Sequence, residues 1–442
     1  MNVIRRIEPG EAIIVLLVLA PSLVALPQLL DPWPQAYSDW LRFGGKLAGV
    51  LGLASLLFAG ILAVRVPGFD QPFGGLTRLW RLHHSLGTAA LLLLMLHPLL
   101  LAFAAVPGGV QAAAMTLFPP AGDVATWIGW AALLAMMIFL APSYSFFGAP
   151  DYQRWKHLHL LAGAALLLGA IHGIALNTVL VGHWNIVTWG GLSVLALAAF
   201  SWRAVVSRKF GRKPYRVTAV EPLAKGVVEL VLEPVGDRIT HAAGQFVYFT
   251  PRDPALAAGC NEEHPYTISS APQSDELRIA IKDFGDASHA LQSVTPGTIA
   301  HVDGPYGRFF RAGTAEKKRE PELWLGGGIG ITPFVGRARA LLHEPGSVDI
   351  CLVYLAQDAS RAYFLDELQA IASRVEGFDV ITHYFAVQGP LNEAFLARHV
   401  PGFAERTAYI CGPPPMIRLG RQILRNKGLP AHRVRSEEFT LL

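Results

Sequence analysis

Six apolar stretches, near 11–31, 45–66, 82–105, 122–142, 157–180 and 185–204, dominate the first half of this 442-residue chain. Each supplies the ~20 residues that a bilayer-crossing helix needs. Hydrocarbon offers no water to free N–H and C=O groups, so a lone apolar segment crosses as a helix. The first stretch is too long to read as a removable leader and is expected to remain as a span. Charge follows the same division: 19 acidic and basic residues fall in the first 210 positions and 51 in the other 232. These features predict a multi-domain membrane protein, with a six-helix transmembrane bundle over 1–210 facing membrane lipid and a soluble part beyond it. A net charge of +4 gives no reason to expect nucleic acid as a partner. Cys260, Cys351 and Cys411 lack CxxC or zinc spacing, and their place in the soluble half fits a reducing compartment.

Basic residues set the expected orientation. Arg5 and Arg6 precede the first span, and Arg65, Arg78 and Arg81 lie between the second and third. Arg154 and Lys156 precede the fifth; Arg203, Arg208, Lys209, Arg212 and Lys213 follow the sixth. The opposite loops carry only Arg42 and Lys46. By the positive-inside rule the N-terminus and the soluble half face the cytoplasm across the cell membrane.

Histidine separates this bundle from a plain anchor. Seven of the chain's 15 histidines lie in its apolar half, and ionisable side chains inside a membrane are costly and usually functional. His83 and His97 are 14 positions apart in the third span; His159 and His172 are 13 apart in the fifth. At ~1.5 Å per residue each pair is separated by roughly 20 Å along its helix. Two helices with an upper and a lower imidazole each can hold two haems, an inner one on His83 and His159 and an outer one on His97 and His172. Helical phase leaves His84 and His157 as competitors for the inner positions, and the 13-residue step is rotated by well over a quarter turn. Pro98, directly after His97, favours a local kink.

From about Tyr215 the period changes to short antiparallel strands, expected to form a β-barrel domain over 211–312. Within it His264-Pro265-Tyr266-Thr267-Ile268-Ser269-Ser270 places an aromatic where it can lie against a planar ring, a threonine hydroxyl for a ring nitrogen, and Ser270 toward phosphate. Lys282 and the stretch from Gly285 to Ser288 complete the candidate diphosphate cradle, with Gly304-Pro305-Tyr306-Gly307 expected to close the barrel. After a charged linker at 311–320 an α/β, Rossmann-like domain is expected over 313–442. The buried strand around Trp324 runs into Gly326-Gly327-Gly328-Ile329-Gly330-Ile331-Thr332-Pro333 and then a helix. Glycines between strand and helix let the backbone approach a pyrophosphate at the helix N-terminus. A later strand ends in Cys411-Gly412-Pro413-Pro414-Pro415, and ligands of open α/β sheets bind beyond such carboxyl ends.

In order, these pieces resemble the ferredoxin–NADP reductase module. With six spans and paired histidines ahead of it, the whole chain resembles the ferric reductase and NADPH oxidase superfamily. The resemblance implies FAD on Tyr266, Thr267 and Ser270, with His264 and Pro265 near its phosphates. It implies NADPH or NADH on the two glycine turns, Cys411 beside the nicotinamide, and Phe439 covering the flavin. Where relatives carry Arg-Asp after the second nucleotide strand, this chain has Gln357-Asp358, with Arg361 further on as the candidate for a 2′-phosphate. The activity implied is passage of electrons from cytosolic NAD(P)H through FAD and two b-type haems to an acceptor on the far side, either oxygen or a ferric chelate. Two other readings stand beside it: an electron donor to a partner redox protein, and a flavin reductase anchored by a haem-free bundle.

Overall fold

The computed structural model describes residues 7–143, 152–177, 179–180, 182–207, 211–310 and 320–437. Phe439, Arg5, Arg6 and most of the charged linker lie outside the described residues. The chain divides into two compact units, Ile7–Phe210 and Gly211–Leu442.

Among the described residues, six helices of the first unit are long and apolar enough to cross a membrane. They are α1 (Pro9–Leu29), α2 (Tyr37–Leu62), α3 (Leu76–Ala105), α5 (Val124–Leu140), α6 (Trp155–Leu176) and α7 (His183–Val206), with a short α4 (Val110–Leu117) after α3. Two spans begin earlier than the apolar run alone predicts, because polar residues extend them. Asp39 accepts the backbone N–H groups of Gln35 and Ala36 ahead of α2. Arg78, in the first turn of α3, pairs with Glu8 at 2.9 Å and Glu11 at 2.8 Å at the start of α1. In α2, 67% of the spanning window is buried against at most 33% elsewhere, which makes it the central helix; it packs on α1, α3, α6 and α7. Inside α6, His159–Leu161 form a 3₁₀ turn. Such a turn advances ~20° more per residue than an α-helix and takes up part of the 13-residue mismatch.

The second unit holds two sheets. Six antiparallel strands run in the order β4-β3-β6-β1-β2-β5. Their ranges are β1 (Arg212–Ala224), β2 (Val227–Pro234), β3 (Phe246–Pro251), β4 (His264–Thr267), β5 (Leu277–Lys282) and β6 (Ile299–Tyr306), with a short helix α8 (Asp286–Ala290) between the last two. The sheet curls until its edges touch through an Ile268–Ile279 bridge. That bridge closes the half-barrel, and the segment containing Gly304-Pro305-Tyr306 instead runs through its middle, between β1 and β3. Strand β2 is buried on both faces from Val227 to Leu232 rather than alternating. One face fills the barrel with Val228, Leu230 and Leu232, while Val227 joins the core of the neighbouring sheet.

That neighbour is a five-stranded parallel sheet in the order β11-β10-β7-β8-β9. Its strands are β7 (Glu322–Gly327), β8 (Ile350–Ala356), β9 (Phe378–Tyr384), β10 (Thr407–Cys411) and β11 (Val434–Glu437). Among the helices that accompany them are α9 (Thr332–Leu341), α10 (Leu365–Ala372), α11 (Glu393–His399) and α12 (Pro414–Asn426). Apolar clusters cover both faces of the sheet, which is why its strands read as continuous hydrophobic runs. The strand order reverses between β7 and β10, the switch point at which such sheets bind ligands.

Candidate functional site

In the membrane unit α3 and α6 bring four imidazoles into two facing pairs. The rings of His83 and His159 lie 6.3 Å apart, centroid to centroid, at 58°. Those of His97 and His172 lie 6.4 Å apart at 77°. Two metal–imidazole bonds of ~2 Å, with each ring centre ~1 Å behind its nitrogen, account for a separation of ~6 Å, so each pair would have room to hold an iron between its rings. Among the described residues no group of three or more His, Cys, Asp or Glu could hold an ion by protein ligands alone. A porphyrin iron, which takes its other ligands from the macrocycle, would suit these paired imidazoles. His84 and His157 are exposed, whereas His83 and His159 are half-buried and face each other.

Backbone carbonyls decide which ring nitrogen is free. Nδ1 of His83 bonds Ala59 O at 2.8 Å, that of His97 bonds Gly45 O at 2.7 Å, and that of His172 bonds Ala125 O at 2.7 Å. A carbonyl only accepts, so each Nδ1 carries the proton and each Nε2 keeps its lone pair for a metal. Nδ1 of His159 is buried with no partner among the described residues. Its ring is held by Trp155 at 4.8 Å and Phe139 at 5.1 Å. The carbonyl contacts require close helix approach. A Cβ at Gly49 would lie 2.8 Å from the His97 ring, and one at Gly129 would lie 2.6 Å from that of His172. Sequence reasoning passed over these supporting residues, although Gly45, Gly49 and Gly52 form a small-residue stripe of the kind that lets membrane helices meet.

In the second unit β4 carries the predicted flavin segment. Thr267 is buried at its end, paired with Phe246, and its hydroxyl has no partner among the described residues. Tyr266 is half-buried beside Phe249, and burial pushes its phenol up. His264, with Pro265 after it on the same strand, meets the Glu262 carboxylate at 3.2 Å. Ser288 ties its own loop, accepting the N–H groups of Phe284 and Gly285, while the space around Gly285 is open. A free threonine hydroxyl next to a half-buried aromatic on β4 fits one end of a flavin. Ser270 accepts the N–H of Arg278 and lines the cleft between the two sheets.

The two glycine turns leave neighbouring parallel strands, with Cys411 in register with Gly326. Their backbones touch: a Cβ at Gly330 would lie 2.6 Å from Gly412 Cα. Gly328, at φ +55°, has open space around it, and Gly327 packs on Met416. Thr332 donates to Ile329 O at 2.6 Å, and Pro333 occupies the first turn of α9, where a missing N–H costs nothing. Pro413 caps α12. Burial, aided by Glu437, pushes the Cys411 thiol well up, so the thiol stays neutral in the buried core. Arg361 donates to the Gln357 side chain, while Asp358 is engaged by the N–H and hydroxyl of Ser360. Burial and then the charge of Arg361 pull the Lys282 ammonium down. Two cations expected to serve different cofactors therefore lie within electrostatic reach of each other.

Comparison with known proteins agrees with this division. Residues 48–170 match the family model for the ferric reductase like transmembrane component, 212–309 that for an FAD-binding domain, and 324–422 that for an oxidoreductase NAD-binding domain. The ferredoxin reductase component of a 3-ketosteroid-9-alpha-monooxygenase from Mycolicibacterium smegmatis is 31% identical over 216 residues, 48% of this chain and 59% of that protein. A flavohemoprotein of Xylella fastidiosa is 28% identical over 230 residues, 49% of this chain and 56% of its own. The chain thus spans little more than half the length of these relatives. Among solved structures, the FAD/NAD-binding domain of a Vibrio cholerae nitric oxide dioxygenase is 22% identical, with a TM-score of 0.44 over 51% of this chain and 98% of that one. With a ferric-reductase-like membrane bundle followed by FAD- and NAD-binding domains, the chain is a transmembrane oxidoreductase with the architecture of the ferric reductase and NADPH oxidase superfamily.

Proposed function

We propose that this oxidoreductase carries electrons from cytosolic NAD(P)H across the cell membrane to an acceptor on the far side, oxygen or a ferric chelate. The observation that carries the reading is the pair of facing imidazole pairs, which α3 sets 14 residues, ~21 Å, apart along the bilayer. Bound FAD turns a hydride into single electrons, and bound haems carry single electrons onward. The protein's own residues hold and order these groups. His83, His97 and His172 keep an Nε2 lone pair free, and His159 faces His83 across its gap. Thr267 offers its hydroxyl at the flavin ring, and the touching turns at Gly330 and Gly412 seat the nucleotide pyrophosphate. Gln357 steadies the Arg361 guanidinium with Lys282 near it, which suits a 2′-phosphate, while the Asp358 carboxylate beside Arg361 opposes one, so NADPH and NADH both stand as donors.

Purified protein from haem-replete cells should show a Soret band that shifts on reduction, with two haems per chain. Protein that binds FAD but has no such band would leave only an anchored flavin reductase. A second reading, supply of electrons to a partner redox protein, is supported by the likeness of the soluble half to a monooxygenase reductase component. NADPH-driven reduction of oxygen or ferric chelate by the isolated protein separates the two.

A further inference from the structure

We propose that Arg339 and Gly336 are positioning residues for hydride transfer: they fasten the helix behind the nucleotide loop to the flavin strand and so set nicotinamide against flavin. The inference rests on the reading that NAD(P)H reduces a flavin in this unit, and it names what aligns the two.

Helix α9 begins at Thr332, directly behind Gly330, and β4 ends at Thr267. Just past Thr267 the flavin segment runs beneath α9. A Cβ at Gly336 would lie 2.9 Å from Ile268 O and 3.3 Å from Ser270 O, so helix backbone rests on strand backbone. One turn on, Arg339 donates to Ser269 O at 3.0 Å and to the two oxygens of Glu229, on β2, at 2.8 and 3.1 Å. It also grips both oxygens of Glu367, on α10, at 2.6 and 2.8 Å. Only a planar guanidinium fork serves two carboxylates in this way.

The rest of the joint is built around that fork. The Glu229 side chain is 1% exposed, and the Ser269 hydroxyl donates to it at 2.5 Å. Burial alone pushes a carboxyl up, yet Arg339 and Ser269 hold Glu229 below its usual range. The Arg339 guanidinium lies 5.4 Å from the centre of the Phe364 ring. Phe364 itself sits at φ +61°, a left-handed conformation that bulky residues avoid. Strain of that kind persists where surroundings over-determine it, and it gathers at functional positions. The network lines a cleft of about 460 Å³ in which every carboxylate and guanidinium is already paired, so it is a joint and not a ligand site.

The transferred hydride leaves the nicotinamide with two electrons and one proton, oxidising it, and the flavin receives all three. A misplacement of ~1 Å costs such a step ~100-fold. Loosening the joint should therefore lower the rate and spare affinity. The test is anaerobic stopped-flow reduction of the FAD-loaded full chain by NADPH and by NADH. Arg339→Lys should lower the saturating rate of flavin bleaching by about tenfold or more, with FAD content and half-saturating nucleotide within about twofold of wild type. Gly336→Ala should do the same, and Glu367→Gln should cost about threefold. If Arg339→Lys fails to hold FAD, the other two variants decide. Wild-type rates in FAD-loaded variants, or a loss confined to half-saturation, would overturn the inference. Wild-type flavin bleached by neither nucleotide would instead sink the reading beneath it, before any substitution is made.

Discussion

The two histidine pairs share a ring separation but are supported differently. In the His97–His172 pair both rings donate to carbonyls of neighbouring helices, through contacts that depend on Gly49 and Gly129. In the His83–His159 pair only His83 does so; His159 is wedged between Trp155 and Phe139 with its Nδ1 buried and unpartnered among the described residues. One pair is fixed by hydrogen bonds, the other half by hydrogen bonds and half by packing. A carbonyl bond locks both tautomer and ring orientation and raises ligand basicity, whereas packing limits orientation alone.

The largest test removes a ligand. His97→Leu should lower haem from two to one per chain and abolish reduction of an outer acceptor, while NAD(P)H still bleaches the flavin. A pyridine haemochrome assay with parallel flavin kinetics checks it, and two haems retained would break the pairing. Next, Gly129→Leu should weaken haem retention at the same pair by about 10- to 100-fold and leave His83–His159 intact, as loss of a supporting shell does. Equal loss from both pairs would erase the distinction. Smaller again, Trp155→Ala should loosen only the packed ligand, broadening the low-spin electron paramagnetic resonance signal of one haem. An unchanged spectrum would mean that His159 is held by something other than its aromatic neighbours.

Away from the membrane the smallest effect concerns thiols. Burial pushes Cys351 up to about 11 and Cys411 well above its usual value. Alkylation of folded protein at neutral pH should therefore spare both, and modify the partly exposed Cys260. Mass mapping of modified peptides checks this, and rapid labelling of Cys411 would contradict its place in the core.

Much of this was legible in the chain before folding. Apolar length announces a span regardless of context, and the order of the flavin and nucleotide motifs needs no neighbours to be read. Other features were hidden. Helical phase did not separate His83 from His84, because the choice depends on which ring meets the Ala59 carbonyl of another helix. The starts of α2 and α3 were missed because Asp39, Arg78, Glu8 and Glu11 extend helices past their apolar cores. The bond from the Arg278 N–H to the Ser270 hydroxyl was hidden too, because it joins the two edges of the antiparallel sheet. Arg339 carried no motif at all, since its partner Glu229 lies 110 residues away.

The sequence by itself determined that six helices cross a bilayer, that imidazoles sit inside it, and that an antiparallel and then a parallel sheet follow. Those properties come from local period and composition, which act along the chain. Only the tertiary structure decided which imidazoles face each other, which nitrogen each leaves free, and how the nucleotide helix is bolted to the flavin strand. Those depend on contacts across helices and sheets, where a single missing Cβ or a carbonyl's position sets the geometry and no local pattern records it.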